Sequence, residues 1–98
     1  MKLLVAGSAD RDFVFRCLDR ADAKRAVLLL VHFAGDAVAR EWAVLRGVCP
    51  LEMSRRETPA DVLGMIGPDG LLALPGAPAA LVDACLAAGV PVWAPPPA

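Results

Sequence analysis

The chain has no surplus of positive charge, no apolar run long enough for a bilayer, and no paired cysteine motif. Ten Lys and Arg stand against eleven Asp and Glu, mixed along the chain, for a formal net charge of −1. A broad nucleic-acid face needs a basic patch, so the balance argues against that class of partner. The longest apolar stretch, Ala26 to Ala34, is interrupted by His32 and closed by Gly35-Asp36. A membrane-spanning helix needs roughly 20 apolar residues, so the stretch reads as a buried strand. Met1-Lys2-Leu3-Leu4-Val5 resembles the start of a signal segment, but Asp10, Arg11 and Asp12 end it too soon.

Metal chemistry is equally poorly provided for. Cys17, Cys49 and Cys85 are odd in number and far apart, no C-x-x-C occurs, and His32 is the single histidine. Neither zinc nor any other metal is expected. The cysteines read as free buried thiols with no disulfide between them, which fits a reducing cytoplasm. No complete G-x-G-x-x-G appears, no convincing acid/base pair stands out, and there is no internal repeat or linker. No cofactor is expected.

What the chain does have is apolar residues in a revealing arrangement. Its 98 residues make one core, and 57% of them are hydrophobic, with a mean hydropathy of +0.54. Four runs, Lys2–Ala6, Ala26–Phe33, Leu71–Leu74 and Val90–Ala94, are apolar with little alternation. That is the mark of strands covered on both faces. Val48–Met53 is a weaker fifth strand, and Pro50, which cannot donate to a ladder, demotes it to an edge.

Helix-period stretches fill the gaps. Phe13, Val14, Cys17, Leu18 and Ala21 share one face of Arg11–Ala21, and Val38, Trp42 and Leu45 share one face of Asp36–Arg46. Gly47 follows the second helix as a C-cap. Thr58-Pro59-Ala60-Asp61 opens a third helix with a cap, an N-terminal proline and a first-turn acid. The fourth begins at Pro78, packs Leu81, Val82, Cys85 and Leu86, and stops at Gly89. Strict alternation with short loops predicts right-handed crossovers and a five-stranded parallel sheet. The expected fold is a three-layer α/β/α Rossmann-like sandwich of strand order 3-2-1-4-5. Residues 1–94 form its single domain, and 95–98 a short Pro-rich tail.

In that order the first and fourth strands lie side by side while their crossovers leave toward opposite faces. Ligands bind at such a switch point, outside the carboxyl ends of the strands. Two turns meet there: Gly7-Ser8-Ala9-Asp10 after the first strand, and Pro75-Gly76-Ala77 after the fourth. Backbone N–H groups of the first turn and the Ser8 hydroxyl suit a phosphate. The alternative is an ordinary turn with Ser8 or Asp10 as N-cap. Gly76 permits close backbone approach, while Pro78 removes a donor. Arg55-Arg56 suits bidentate contact with a phosphate, or is a solvated pair before the third helix. Arg11 lies near the first turn. His32 sits at a strand end, as a hydrogen-bonded structural residue or as a ligand group. Trp42 and Trp93 read as packing residues.

These residues also resemble a family. Ala6-Gly7-Ser8-Ala9-Asp10 stands where SLOG-superfamily proteins carry a strand ending G-G-R-D. Leu30-Val31-His32-Phe33-Ala34-Gly35-Asp36, then Glu41-Trp42-Ala43, stand where they carry L-V-H-G-G-A, G-A-D and E-W-A. Arg55-Arg56 and Met65-Ile66 look similar to an Arg-Asn pair and a helix ending in Met-Leu. Pro68 to Gly76 resembles P-D-x-V-L-A-F-P-G-G, and Ala88 to Val92 repeats A-G-V-P-V. The match spans nearly the whole chain and resembles small bacterial and phage members, relatives of the lonely-guy enzymes and of DNA-processing protein A.

Four features depart from the family pattern. Ser8 replaces a glycine, Ala9 an arginine, Phe33 a loop glycine, and Ala77 to Ala80 the P-G-G-x-G-T turn. Where lonely-guy enzymes have a catalytic arginine and glutamate, Ala79 to Ala84 offers only Asp83. The resemblance implies a nucleotide-like ligand bound through Gly7, Ser8, Asp10, Arg11, His32, Gly35, Asp36, Arg55, Arg56, Pro75, Gly76 and Ala77. No catalytic residue is assigned. The expected function is a binding or sensor module for a nucleotide or nucleotide derivative. The alternatives are a hydrolase of N-glycosidic or phosphoester bonds, with Asp10, Asp36 or Glu41 as acid or base, and a degenerate assembly subunit. A domain this small buries only about two-thirds of its unfolded surface, so a homodimer or higher homo-oligomer is expected.

Overall fold

A computed structural model describes residues 1–96. Pro97 and Ala98, the second half of the expected tail, lie outside the described residues. Nine elements alternate without exception: β1 (Lys2–Ala6), α1 (Arg11–Lys24), β2 (Leu29–Phe33), α2 (Ala37–Arg46), β3 (Cys49–Met53), α3 (Pro59–Ile66), β4 (Gly70–Ala73), α4 (Ala79–Ala87) and β5 (Val92–Trp93). All pairings are parallel, and the sheet order is β3-β2-β1-β4-β5. The register aligns Leu4 with Val31 on one side of β1 and with Leu71 on the other.

Alternation along the buried strands divides the core into two layers. Leu3, Val5, Leu30 and Leu72 point to α1 and α2, where Phe13, Leu18 and Trp42 meet them. Leu4, Ala6, Val31 and Leu71 point to α3 and α4, against Val62, Leu81 and Cys85. Each inner strand therefore needs apolar side chains on both faces, which is why its sequence does not alternate. Trp42 is fully buried, and its indole N–H donates to Asp19 Oδ1 at 2.8 Å. No helix among the described residues is long and apolar enough to cross a membrane.

Helix ends follow the sequence signals. Asp10 caps α1, its Oδ1 accepting from the Asp12 and Phe13 N–H groups, so of the two capping candidates it is Asp10 that acts. Thr58 accepts from the Asp61 N–H, and Gly47 closes α2 in the left-handed region. Several bounds shift. α1 runs one turn beyond Ala21 to Lys24. β2 begins at Leu29, because the Val27 N–H goes to Asp22 Oδ1 and the Leu28 N–H to the Met1 carbonyl. β5 starts only at Val92, since the Val90 N–H is held by the Cys85 carbonyl of α4.

Three expected core residues are exposed instead. Leu45 and Leu86 lie outside, because Ala39 and Ala43 bring α2 close to the sheet and Leu81 with Cys85 turns α4. Cys49 is exposed on the edge strand β3, whereas Cys17 and Cys85 are buried, and all three are free. Burial pushes the Cys17 and Cys85 thiols above their ordinary pKa. Thiolate is the reactive form, so both are protected twice over. Titration with a thiol reagent at neutral pH should find one fast group in the folded protein and three after unfolding. Two or more fast groups in the native state would contradict this packing.

Candidate functional site

The site begins with a close approach of two backbones. β1 and β4 end side by side, and the Leu74 N–H donates to the Ala6 carbonyl at 2.8 Å. One step further, the Ser8 N–H donates to the Pro75 carbonyl at 2.9 Å. Gly7 lies between these bonds with φ +87°, and a Cβ there would stand 2.4 Å from the Leu74 carbonyl oxygen. Only glycine satisfies both constraints. The two turns are thus bonded to each other, and the Ser8 N–H offered to a phosphate is already used. Gly76 also has positive φ, +84°, but nothing lies within 4 Å of where its Cβ would be.

Cavities open on both sides of this junction. On the α3/α4 side is a cleft of about 300 Å³, at the small end of the range for ligand pockets. Phe33, Pro59, Val62, Pro78 and Leu81 give it an apolar wall, and Ser8, Arg55 and Glu57 supply polar groups. The N-terminus of α4 borders it without a side-chain cap, so the opening N–H groups of that helix have no side-chain acceptor. On the α1/α2 side is a recess of about 70 Å³ that includes Gly7, Ser8, Gly35 and Asp36.

Arg55 and Asp36 link the two. Arg55 Nε donates to the Ala34 carbonyl at 2.6 Å and Nη2 to Asp36 Oδ1 at 2.8 Å. A guanidinium has five N–H donors, so three remain. The Arg55 side chain is 60% exposed while that of Asp36 is only 9% exposed. The fork is therefore fixed from behind and open toward the cleft it lines.

Seven of the twelve expected residues line one or both cavities: Gly7, Ser8, Gly35, Asp36, Arg55, Pro75 and Gly76. The other five are placed elsewhere. Asp10 is engaged as the α1 cap. Arg11 turns to Glu41, 2.9 Å away, and stacks over the Phe15 ring at 4.2 Å from its centroid. His32 is buried, sharing the face of Leu30 by strand alternation. Its Nδ1 lies 3.3 Å from the Phe33 carbonyl, and its Nε2 has no partner. Arg56 is exposed outside both cavities, and Ala77 packs against the α3/α4 core layer. Glu57, Pro59, Val62 and Leu81 line the cleft without having been singled out. Their signal was the Thr58-Pro59 helix start, which sets the first turn of α3 at the carboxyl edge.

The three carboxylates suited to acid or base roles all have structural partners. Asp10 caps a helix and Asp36 holds Arg55. The hydrogen bond from Arg11 keeps the Glu41 carboxyl below the usual carboxylate range, so it stays ionised. Comparison with protein-family models, curated proteins and solved structures finds no match to this chain.

The two glycines should separate on substitution. Gly7→Ala meets backbone as well as an unfavourable φ, and should cost about 2 kcal/mol or more. That corresponds to a fall in melting temperature of roughly 8 °C or more for a domain of this size. Gly76→Ala meets only the φ penalty, about 1 kcal/mol. Thermal denaturation of both variants checks the order, and equal losses would contradict the junction described.

Proposed function

We propose that this protein is a binding or sensor module for a nucleotide or nucleotide derivative, with the anionic group held in the cleft beside Arg55. The observation that carries the reading is Arg55 itself. Its guanidinium is fixed by the Ala34 carbonyl and Asp36, keeps three N–H donors, and lines the cleft. A pre-set fork matches the geometry of a phosphate and loses little freedom on binding. The uncapped α4 N-terminus borders the same space and adds a favourable field for negative charge.

The apolar wall complements this. Phe33, Pro59, Val62 and Leu81 offer a dry surface for a flat ring, while Glu57 offers an acceptor for its N–H groups. A ligand with an anion at one end and a base at the other meets both requirements. The resemblance to SLOG proteins points to the same ligand class. Binding without catalysis is favoured because Asp10, Asp36 and Glu41 are each occupied. A general acid or base must be free to reach the proton it moves.

Titration calorimetry with AMP, GMP, CMP and UMP tests the reading. At least one should bind to the parent without being consumed over the titration. Arg55→Gln should weaken binding tenfold or more, which is about 1.4 kcal/mol. Ala80→Leu, at an exposed lining position of α4, should do the same by filling the cleft without disturbing the core. Absence of binding by all four nucleotides, or full affinity in both variants, would defeat the proposal.

A further inference from the structure

The small recess carries a second feature that the phosphate reading leaves unused. Asp36 Oδ1 is taken by Arg55, but Oδ2 is buried and has no hydrogen-bond partner. A buried, ionised oxygen without a donor is costly, and such groups are rare enough to call for an explanation. Asp36 also stands at the N-cap of α2, where an aspartate normally accepts from the first-turn N–H groups. Here it makes no such bond, because Arg55 draws the carboxylate away. The opening N–H groups of α2 therefore lack a side-chain acceptor on the same recess, which Ala37 and Ala39 line.

An acceptor without a donor thus faces donors without an acceptor, across a space of about 70 Å³. A carboxylate or phosphate would suit the helix end but not Asp36. An ammonium would suit Asp36 but not the helix end. A hydroxyl suits both, because it donates one hydrogen bond and accepts others. The volume admits two hydroxyl groups on neighbouring carbons, given that a water's share of the liquid is about 30 Å³.

We infer that the recess beside Asp36 is a hydroxyl-binding subsite that takes the vicinal diol of a ribose-like sugar. The inference rests on the nucleotide reading and deepens it by assigning the sugar. One hydroxyl donates to Asp36 Oδ2 and accepts from the first turn of α2. Ser8, which lines both cavities, marks where the ligand crosses from the cleft to the recess. The Arg55–Asp36 pair then has two jobs at once. Asp36 aims the guanidinium at the anion, and Arg55 holds the carboxylate off the helix end and free for the diol.

Calorimetry with each ribonucleoside 5′-monophosphate and its 2′,3′-dideoxy counterpart tests this on the full chain. The parent should bind the ribonucleotide at least tenfold more tightly than the dideoxy compound. In Asp36→Asn, which keeps the shape and an oxygen for Arg55, the ratio should fall below threefold, mainly through weaker ribonucleotide binding. Ser54→Ala, outside both cavities, should preserve the parent's ratio. Equal affinity of the parent for both compounds overturns the diol subsite while leaving nucleotide binding intact. An unchanged tenfold ratio in Asp36→Asn places the diol elsewhere and overturns it too. No binding of either compound overturns the nucleotide reading itself, and the subsite with it.

Discussion

The structure depends on the contact between the ends of β1 and β4. Two inter-turn hydrogen bonds, from Leu74 to Ala6 and from Ser8 to Pro75, bring the backbones together. They come so close that no side chain fits at Gly7. This junction fixes where the chain changes direction, since α1 leaves it toward one face and α4 toward the other. It also divides the carboxyl edge of the sheet into two separate spaces. A larger side chain at Gly7 would push the strand ends apart and merge or close both cavities. The same glycine that a ligand-centred reading assigns to phosphate contact is required by the fold before any ligand arrives.

Charge around the junction is distributed with a similar economy. Most of the polar groups near the site are committed in pairs: Arg11 with Glu41, Asp10 with the start of α1, Arg55 with Asp36. Exposed pairs of this kind add little stability, commonly less than about 1 kcal/mol. Their effect is selective. By occupying the other carboxylates, they leave two kinds of unfulfilled capacity at the site: the spare donors of Arg55 and the free oxygen of Asp36. The first accepts an anion and the second accepts a proton donor. Chemistry that needs a mobile acid or base finds no free group of that kind among Asp10, Asp36 and Glu41.

Much of the fold was legible because strands buried on both faces cannot alternate and edge strands can hold proline. Lys2–Ala6 and the Pro50 strand took their positions for those reasons alone. Element ends were less legible where a local side chain redirected the backbone, as Asp22 does at Val27. The site was legible as a place more than as a list. Topology located the two turns, but the Arg11–Glu41 pair joins residues thirty apart through the packing of α1 on α2. No local pattern announces such a contact. His32 misleads for a related reason: its strand position is at the edge of the crevice, yet alternation turns its ring into the core.

The Arg55–Asp36 pair shows why the site cannot be understood one residue at a time. A lone arginine on the β3–α3 loop would sample many rotamers and lose that freedom on meeting an anion. A lone Asp36 would fold back to cap α2, as Asp10 does for α1. Together each prevents the other's ordinary behaviour. The arginine becomes a rigid fork, and the aspartate is held as an acceptor lining a recess that it would otherwise close. Gly35 contributes by leaving room, since a Cβ there would stand 3.7 Å from the Arg55 guanidinium. The strain of one unpartnered carboxylate oxygen is thereby tolerated in the empty site and relieved by a hydroxyl donor. That relief favours the bound state over the free one, which is how a binding module acquires selectivity from its own unsatisfied groups.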